Sequence, residues 1–269
     1  MTTVAATTTS PAAAPWHFWR EAVRAASVLG AREVRTSLRT PAYLLPNLLV
    51  PIFFYFIMVG SLSSFAGESG VDNWKAFHLP SAIIFAVQGG SAGLNMVADI
   101  ESGYFSKLLL TPAHRMSILL GAMSADFLRI VVQATVVFLI AVATGLHFET
   151  GIAGALVLVL LSSLWGLAYS GLGFAVALKT GNSQATQSLW FMTMPFLFLT
   201  TLFAPREELS GWLSTAATFN PVTYLLAGQR ALAMNGWDAS DVGGALLAVA
   251  TVGTLSFSLA LLALRSRLR

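Results

Sequence analysis

The side chains able to do chemistry are few. His17, His78, His114 and His147 are scattered, with no two at a spacing that suits zinc or haem. The chain has no cysteine, which excludes disulfides, thiol catalysis and Cys-ligated metal centres. It contains neither a Gly-x-Ser-x-Gly elbow nor a His-Glu-x-x-His pair, so hydrolytic chemistry has no nucleophile or metal to run on. A phosphate loop needs glycines that let backbone N–H groups approach phosphate before its Lys-Ser/Thr; Lys179-Thr180 follows Leu178 instead, so no nucleotide is expected on this chain. What remains is hydrogen-bonding and ion-pair chemistry inside apolar runs. Gln88, Ser91 and Asn95 fall at i, i+3 and i+7 beside Gly89, Gly90, Ala92 and Gly93, which in one continuous helix makes a single polar stripe. Asp126, Arg129 and Gln133 repeat that spacing, so a carboxylate and a guanidinium one turn apart neutralise each other.

The elements that hold these residues follow from composition. Of 269 residues 56% are hydrophobic and 10% charged, and the mean hydropathy is +0.73, far from a soluble globular domain. A net charge of +3 on so few charges does not describe a nucleic-acid binder. Six apolar stretches long enough to cross a bilayer run from about 42–64, 79–98, 116–146, 151–178, 187–203 and 242–264. Lysine and arginine are retained on the cytoplasmic face. Twelve of the cations (Arg20, Arg24, Arg32, Arg35, Arg39, Lys107, Arg115, Arg129, Lys179, Arg265, Arg267, Arg269) fall on one side of this topology and three (Lys75, Arg206, Arg230) on the other. Both termini are therefore expected in the cytoplasm, with the Asp126 and Arg129 pair near the cytoplasmic end of the third span. Residues 1–15, rich in Ala, Thr and Pro, read as a disordered tail with no secretory signal. From Trp16 to Leu38, Trp16, Trp19, Val23, Ala26 and Leu29 recur at helical spacing with arginines on other faces. This predicts an amphipathic helix over 16–40, lying on the inner membrane surface or packed on protein.

Two connections are more than linkers. The cytoplasmic run from Asp99 to Arg115 sets Tyr104, Phe105, Leu108, Leu109 and Leu110 beside Glu101, Lys107 and Arg115, and stops at Thr111-Pro112. A short amphipathic helix with an apolar knob and charged flanks suits docking into a groove on a partner; the alternative is a helix lying on the membrane surface. The outer segment 204–241 is half apolar. Asn220 before Pro221 predicts a capped helix from Val222 to Met234 that ends at Asn235-Gly236. Short helices here either dip into the outer leaflet or form an extracellular lid. In the fourth span, Gly166, Ser170 and Gly173 let another helix approach closely. In the fifth, Phe191, Met192, Met194, Pro195, Phe196, Phe198 and Phe203 offer polarizable surface, suited either to an apolar cargo or to lipid.

The order acidic residue, Glu101, Gly103, Lys107-Leu-Leu, Thr111-Pro112, Arg115, followed by an apolar helix with Gly121 and Asp126, resembles the permease subunits of type-2 ABC exporters, particularly the daunorubicin-resistance-like branch. The segment Phe219-Asn-Pro-Val-Thr-Tyr with the downstream Arg230 resembles the run before the last span of that family. The resemblance spans nearly the whole chain. It implies an all-α integral membrane permease with six transmembrane helices over 41–269, a connector helix at 16–40, and outer re-entrant helices at 204–241. It also implies an ATPase-coupling region made by Glu101, Gly103, Tyr104, Phe105, Leu108, Leu109 and Arg115. Two ABC ATPase subunits carrying ATP and magnesium, a second permease copy or a related permease, and membrane lipid are the partners it implies. Gln88, Ser91, Asn95, Met192 and Phe196 are the candidates for the transport path, and Asp126 with Arg129 for a structural clamp, the polar residues serving equally well as interhelical glue. Few fixed charges line the spans, which favours export of a hydrophobic or amphipathic compound, such as a drug, polyketide or lipid, across a bacterial inner membrane. A stand-alone secondary transporter is the rival; it calls for ion-coupling residues near the midplane and a repeat of broken helices, and none is evident.

Overall fold

In a computed structural model of the chain, residues 27, 41–61, 73–88, 93–110 and 115–268 are described. The tail, the connector helix (apart from Ser27), Ser91, Thr111-Pro112 and His114 lie outside them. Among the described residues every regular element is helical. The helices are α1 (Pro41–Ser61), α2 (Trp74–Gln88), α3 (Leu94–Glu101), α4 (Tyr104–Leu109), α5 (Arg115–Ala143), α6 (Gly151–Thr180), α7 (Ser183–Phe198), α8 (Gly211–Phe219), α9 (Pro221–Arg230) and α10 (Ala239–Arg267).

Three of these, α5, α6 and α10, are long and apolar enough to cross a membrane. At 1.5 Å per residue each is about 43–45 Å long, more than the ~30 Å hydrocarbon layer. With the shorter apolar stretch Asn47–Ser61 of α1, they make this a multi-pass, all-α membrane protein. The expected 79–98 span is not one helix: α2 stops at Gln88, and α3 starts after Gly93, whose φ of +78° is left-handed. Pro80 lies inside α2.

α6 is the axis of the bundle, with α10, α5, α2 and α7 packed around it. Its small residues set the spacing. A Cβ added at Gly166 would press on Ile130 of α5 and Val87 of α2, and one at Gly171 on Ser256 of α10. These helices approach at distances that only glycine permits. Two apolar cores result. The larger joins α1, α2, α5, α6, α9 and α10 around Tyr55, Ile83, Ile130, Leu158, Leu161 and Leu225. The smaller gathers Met96, Val97, Phe105, Leu119, Phe174, Leu178 and Leu264 at the end that carries Lys107, Arg115, Lys179, Arg265 and Arg267.

The opposite end is tied by polar contacts. Lys75 Nζ donates to Thr144 O at 2.6 Å, Trp74 Nε1 to Met58 O at 3.2 Å, and Thr150 Oγ1 to Leu232 O at 2.6 Å. Here Asn220 caps α9, its side chain accepting from Val222 N, with Pro221 at the first helical position. α9 continues through a π turn, Ala231–Asn235, to Gly236. Residues 222, 223, 225, 226 and 228–230 of α9 are buried, so this helix packs inside the bundle, against α10, α2 and α6.

Candidate functional site

The expected coupling region forms a compact structure at the cationic end. Gly93 lies directly on the α6 backbone: an added Cβ would meet the Gly173 carbonyl group, 2.5 Å from its carbon. From that seat α3 runs to Glu101, burying Met96 and Val97. Ser102 N donates to Ala98 O at 2.9 Å and Gly103 N to Ile100 O at 3.1 Å. Gly103, at φ +72°, then turns the chain into α4. Left-handed glycines thus bracket an eight-residue helix.

α4 does not present Phe105 as a docking knob. Its ring is 3% exposed and belongs to the smaller core, with Leu108 and Leu109 partly buried against the same cluster. Packing into a core shared with α3, α5, α6 and α10 outcompetes exposure, because the chain's own surface covers this face first. What remains outside is Tyr104, 38% exposed, and Leu110, 88% exposed, with Glu101, Lys107 and the exposed Arg115 at the start of α5 around them.

Glu101 is engaged within the chain. Its Oε1 accepts from Ser183 Oγ at 2.9 Å and from Ser183 N at 3.3 Å, at the first residue of α7. Asn182 Oδ1 caps the same helix by accepting from Ala185 N at 3.0 Å. Just before it, Gly181 closes α6 in the left-handed conformation, and Arg267 Nη1 donates to Leu178 O at 2.7 Å. Ser183 was no part of the sequence-predicted site. The Gly181-Asn182-Ser183 run is a legible helix stop and start, but nothing in it names Glu101, far away along the chain, as its partner.

The transport-path candidates do not share one helix face. Gln88 is buried at the end of α2, whereas Asn95 is exposed on α3, beyond the left-handed Gly93. The i, i+7 relation therefore does not carry between them. Met192 and Phe196 are 71% and 63% exposed on α7, next to exposed Phe191 and Phe198. Only Thr186 and Leu197 of α7 are buried.

Asp126 and Arg129 pair on α5: Arg129 Nε donates to Asp126 Oδ1 at 3.1 Å, Nη2 donates to the same oxygen, and Nη1 donates to Gln133 Oε1 at 3.2 Å. All three residues are buried. The pair lies deeper than expected. Arg129 is the central residue of α5, and its neighbour Ile130 packs at Gly166, near the middle of α6, so the charges sit about 16–21 Å in from Arg115 by helical rise.

Arg230 holds the other end. It is buried, with Nε donating to Phe77 O at 3.1 Å, Nη1 to Thr201 Oγ1 at 3.2 Å and Nη2 to Leu202 O at 3.4 Å, and its guanidinium lies 3.6 Å from the Phe77 ring centre. Ser81 Oγ donates to Leu202 O at 2.9 Å as well. Asn220 Nδ2 donates to Phe196 O at 2.7 Å and Leu199 O at 3.2 Å. The segment after α7 is thereby fastened to α2 and α9. Among the described residues no cluster of His, Asp and Glu could hold a metal ion.

α9 packs inside a bundle of long apolar helices, whereas α8 before it buries only Ala217, and the sequence profile of the ABC-2 type transporter family matches residues 24–234. The chain belongs to that family. It is 24% identical over 202 residues to a doxorubicin resistance ABC transporter permease protein, DrrC, of Mycobacterium tuberculosis, covering 74% of this chain and 73% of the relative. To a daunorubicin resistance ABC transporter permease protein, DrrB1, of Streptomyces coeruleorubidus it is 26% identical over 210 residues, covering 75% and 73%. To a multidrug ABC transporter permease, YbhR, of Escherichia coli it is 25% identical over 169 residues, covering 58% and 45%. These relatives are transport permeases, not enzymes.

Proposed function

We propose that this chain is the membrane half of an ATP-driven exporter that moves a hydrophobic or amphipathic compound, of the drug, polyketide or lipid type, out of a bacterial cell. The observation that carries the proposal is the apolar face of α7. Phe191, Met192, Phe196 and Phe198 stand exposed on a helix with little lateral packing, and such a soft aromatic and thioether surface suits varied apolar cargo. A second copy, or a related permease, set against this face would enclose a path between two α7 helices, with Asn95 near its cytoplasmic mouth. Two ABC ATPase subunits, carrying ATP and magnesium, would dock at the cationic end on Tyr104, Leu110, Lys107 and Arg115. That end faces the cytoplasm by the charge asymmetry, with both termini on the same side in the inner membrane. The drug-resistance names of DrrC and DrrB1 support this cargo class.

The test is reconstitution of the chain with a candidate partner ABC ATPase in inverted vesicles. ATP-dependent, vanadate-sensitive accumulation of doxorubicin is the expected result; ATP-independent accumulation would refute the proposal. One observation favours a second reading. An ion pair halfway along α5 is where a secondary transporter would keep a coupling group. In that case a protonophore abolishes accumulation and the ATPase subunit is dispensable.

A further inference from the structure

We propose that the contact between Glu101 and Ser183 is a strut that stays closed through the transport cycle and hands movement of the coupling region to α7. The proposal rests on the reading of the chain as an ATP-driven exporter. Glu101 is then a positioning residue, acting through α7, whatever else its flank offers an ATPase.

Four observations lead there. First, the contact is a two-point grip. One carboxylate oxygen accepts from both the backbone N–H and the hydroxyl of Ser183, at the end of α7 where unpaired N–H groups and the helix dipole favour an anion. Second, the parts on either side are stiff and their joints are local. α3 is a short helix between left-handed Gly93 and Gly103, and α7 is separated from α6 only by Gly181 and Asn182. A push on exposed Tyr104 and Leu110 therefore reaches Glu101 through one turn at Gly103.

Third, the push finds more freedom in α7 than in α6. The last turn of α6 is pinned by Arg267 of α10 through Leu178 O, and the arginine packs on Gly181. Among the described residues α7 is held more lightly along its length. Its sides bury only Thr186 and Leu197, Met194 packs partly buried on the larger core, and Tyr169 of α6 hydrogen-bonds Thr193 at 2.7 Å. Fourth, its far end has a pivot. Asn220 takes hold of Phe196 O and Leu199 O, while Arg230 and Ser81 hold Thr201 and Leu202. A helix gripped at both ends and loosely packed between them, with its cargo-suited face exposed, swings when its near end is displaced.

The experiment uses the full chain with its partner ATPase in inverted vesicles, reading ATP hydrolysis and doxorubicin accumulation together. Ser183→Ala removes the hydroxyl half of the grip. It should leave ATPase binding and hydrolysis at the wild-type level and lower doxorubicin moved per ATP about three- to fivefold, the scale of one solvent-exposed hydrogen bond to a charged group. Ser183→Thr keeps the hydroxyl and should export within about twofold of wild type, which separates loss of the contact from loss of fold. The chain's lack of cysteine allows a covalent substitute. A variant carrying Glu101→Cys and Ser183→Cys should be poorly coupled when reduced, regain coupling when a short bis-thiosulfonate bridges the two thiols, and lose it again on reduction. The strut is overturned if Ser183→Ala couples like wild type, if Ser183→Thr fails as badly as Ser183→Ala, or if bridging blocks export. If wild-type vesicles show no ATP-driven accumulation, the exporter reading itself falls and the strut with it.

Discussion

Replacing Gly93 with alanine tests how the coupling region is seated, and two costs can be worked from the structure. Gly93 has φ +78°, a conformation that costs an L-residue about 1–2 kcal/mol. The new methyl would also meet the Gly173 carbonyl group, 2.5 Å from its carbon. That carbonyl belongs to the interior of α6, so the neighbour is helix backbone that cannot rotate away, and overpacking of this kind adds about 1–3 kcal/mol. The total is about 2–5 kcal/mol, relieved only by lifting α3 off α6. Gly103→Ala is the internal control. Gly103 has a similar φ of +72° with nothing within 4 Å of an added Cβ, so it should lose only the backbone part, about 1–2 kcal/mol. Equilibrium unfolding of the purified permease in mixed detergent–SDS micelles measures both. A gap of about 1–3 kcal/mol between the variants is expected; equal losses would show that α3 does not rest on Gly173.

Further outcomes follow from single contacts. Arg129→Met leaves a buried carboxylate without its partner and should cost about 3–5 kcal/mol in the same assay, while the double variant Asp126→Leu with Arg129→Met should recover most of it; a double variant as unstable as the single one would mean that the pair is not self-contained. A cysteine at Ser240 should react with an impermeant maleimide from outside whole cells and one at Ser106 only after permeabilisation, and reversed labelling would invert the orientation drawn from the cations. Asp238 accepts from Ser240 Oγ and from the backbone N–H groups of Ser240 and Asp241 at the start of α10, which holds its carboxyl below the ordinary value of 3.8. Because the folded value is the lower one, the cap contributes fully above the unfolded value and is lost as pH falls through the folded one; the protection of the Ser240 and Asp241 amides, relative to their intrinsic exchange at each pH, should therefore fall below about pH 4, and Asp238→Asn should flatten that dependence.

Much of the fold is legible in composition because the bilayer imposes a length. α5, α6 and α10 declare themselves as long apolar runs, and Asn220-Pro221 announces the start of α9 because a side-chain acceptor followed by a residue without an N–H suits a helix N-terminus. The break in the second apolar stretch is not legible. Glycine is common in membrane helices, so Gly89, Gly90 and Gly93 read equally well as packing notches; among the described residues the left-handed φ at Gly93, which lies against the backbone of Gly173, marks the start of α3. The depth of Asp126 and Arg129 escapes for a different reason. A helix about 43 Å long overhangs the membrane by an amount its sequence does not state, and the contact between Ile130 and Gly166 places the pair midway along α5, against the middle of α6.

The site was legible in its parts but not in its connections. An amphipathic pattern at 104–110 says that one face must be covered, without saying by what. The pattern assigns Phe105 to a partner, whereas it is buried in the chain's own smaller core. That changes what a partner can hold. With Phe105 buried and Leu108 and Leu109 partly buried, α4 is bonded to the bundle through its core side, and the surface left for a docking subunit would be Tyr104, Leu110 and the charges around them. Phe105→Asp would then destroy the smaller core instead of a docking surface, whereas Leu110→Asp leaves that core untouched and puts a charge where an ATPase groove would close. Loss of ATPase co-purification with an unchanged unfolding midpoint is the expected result for Leu110→Asp. Retention of the complex in that variant would mean that the docking surface lies elsewhere on the cationic end.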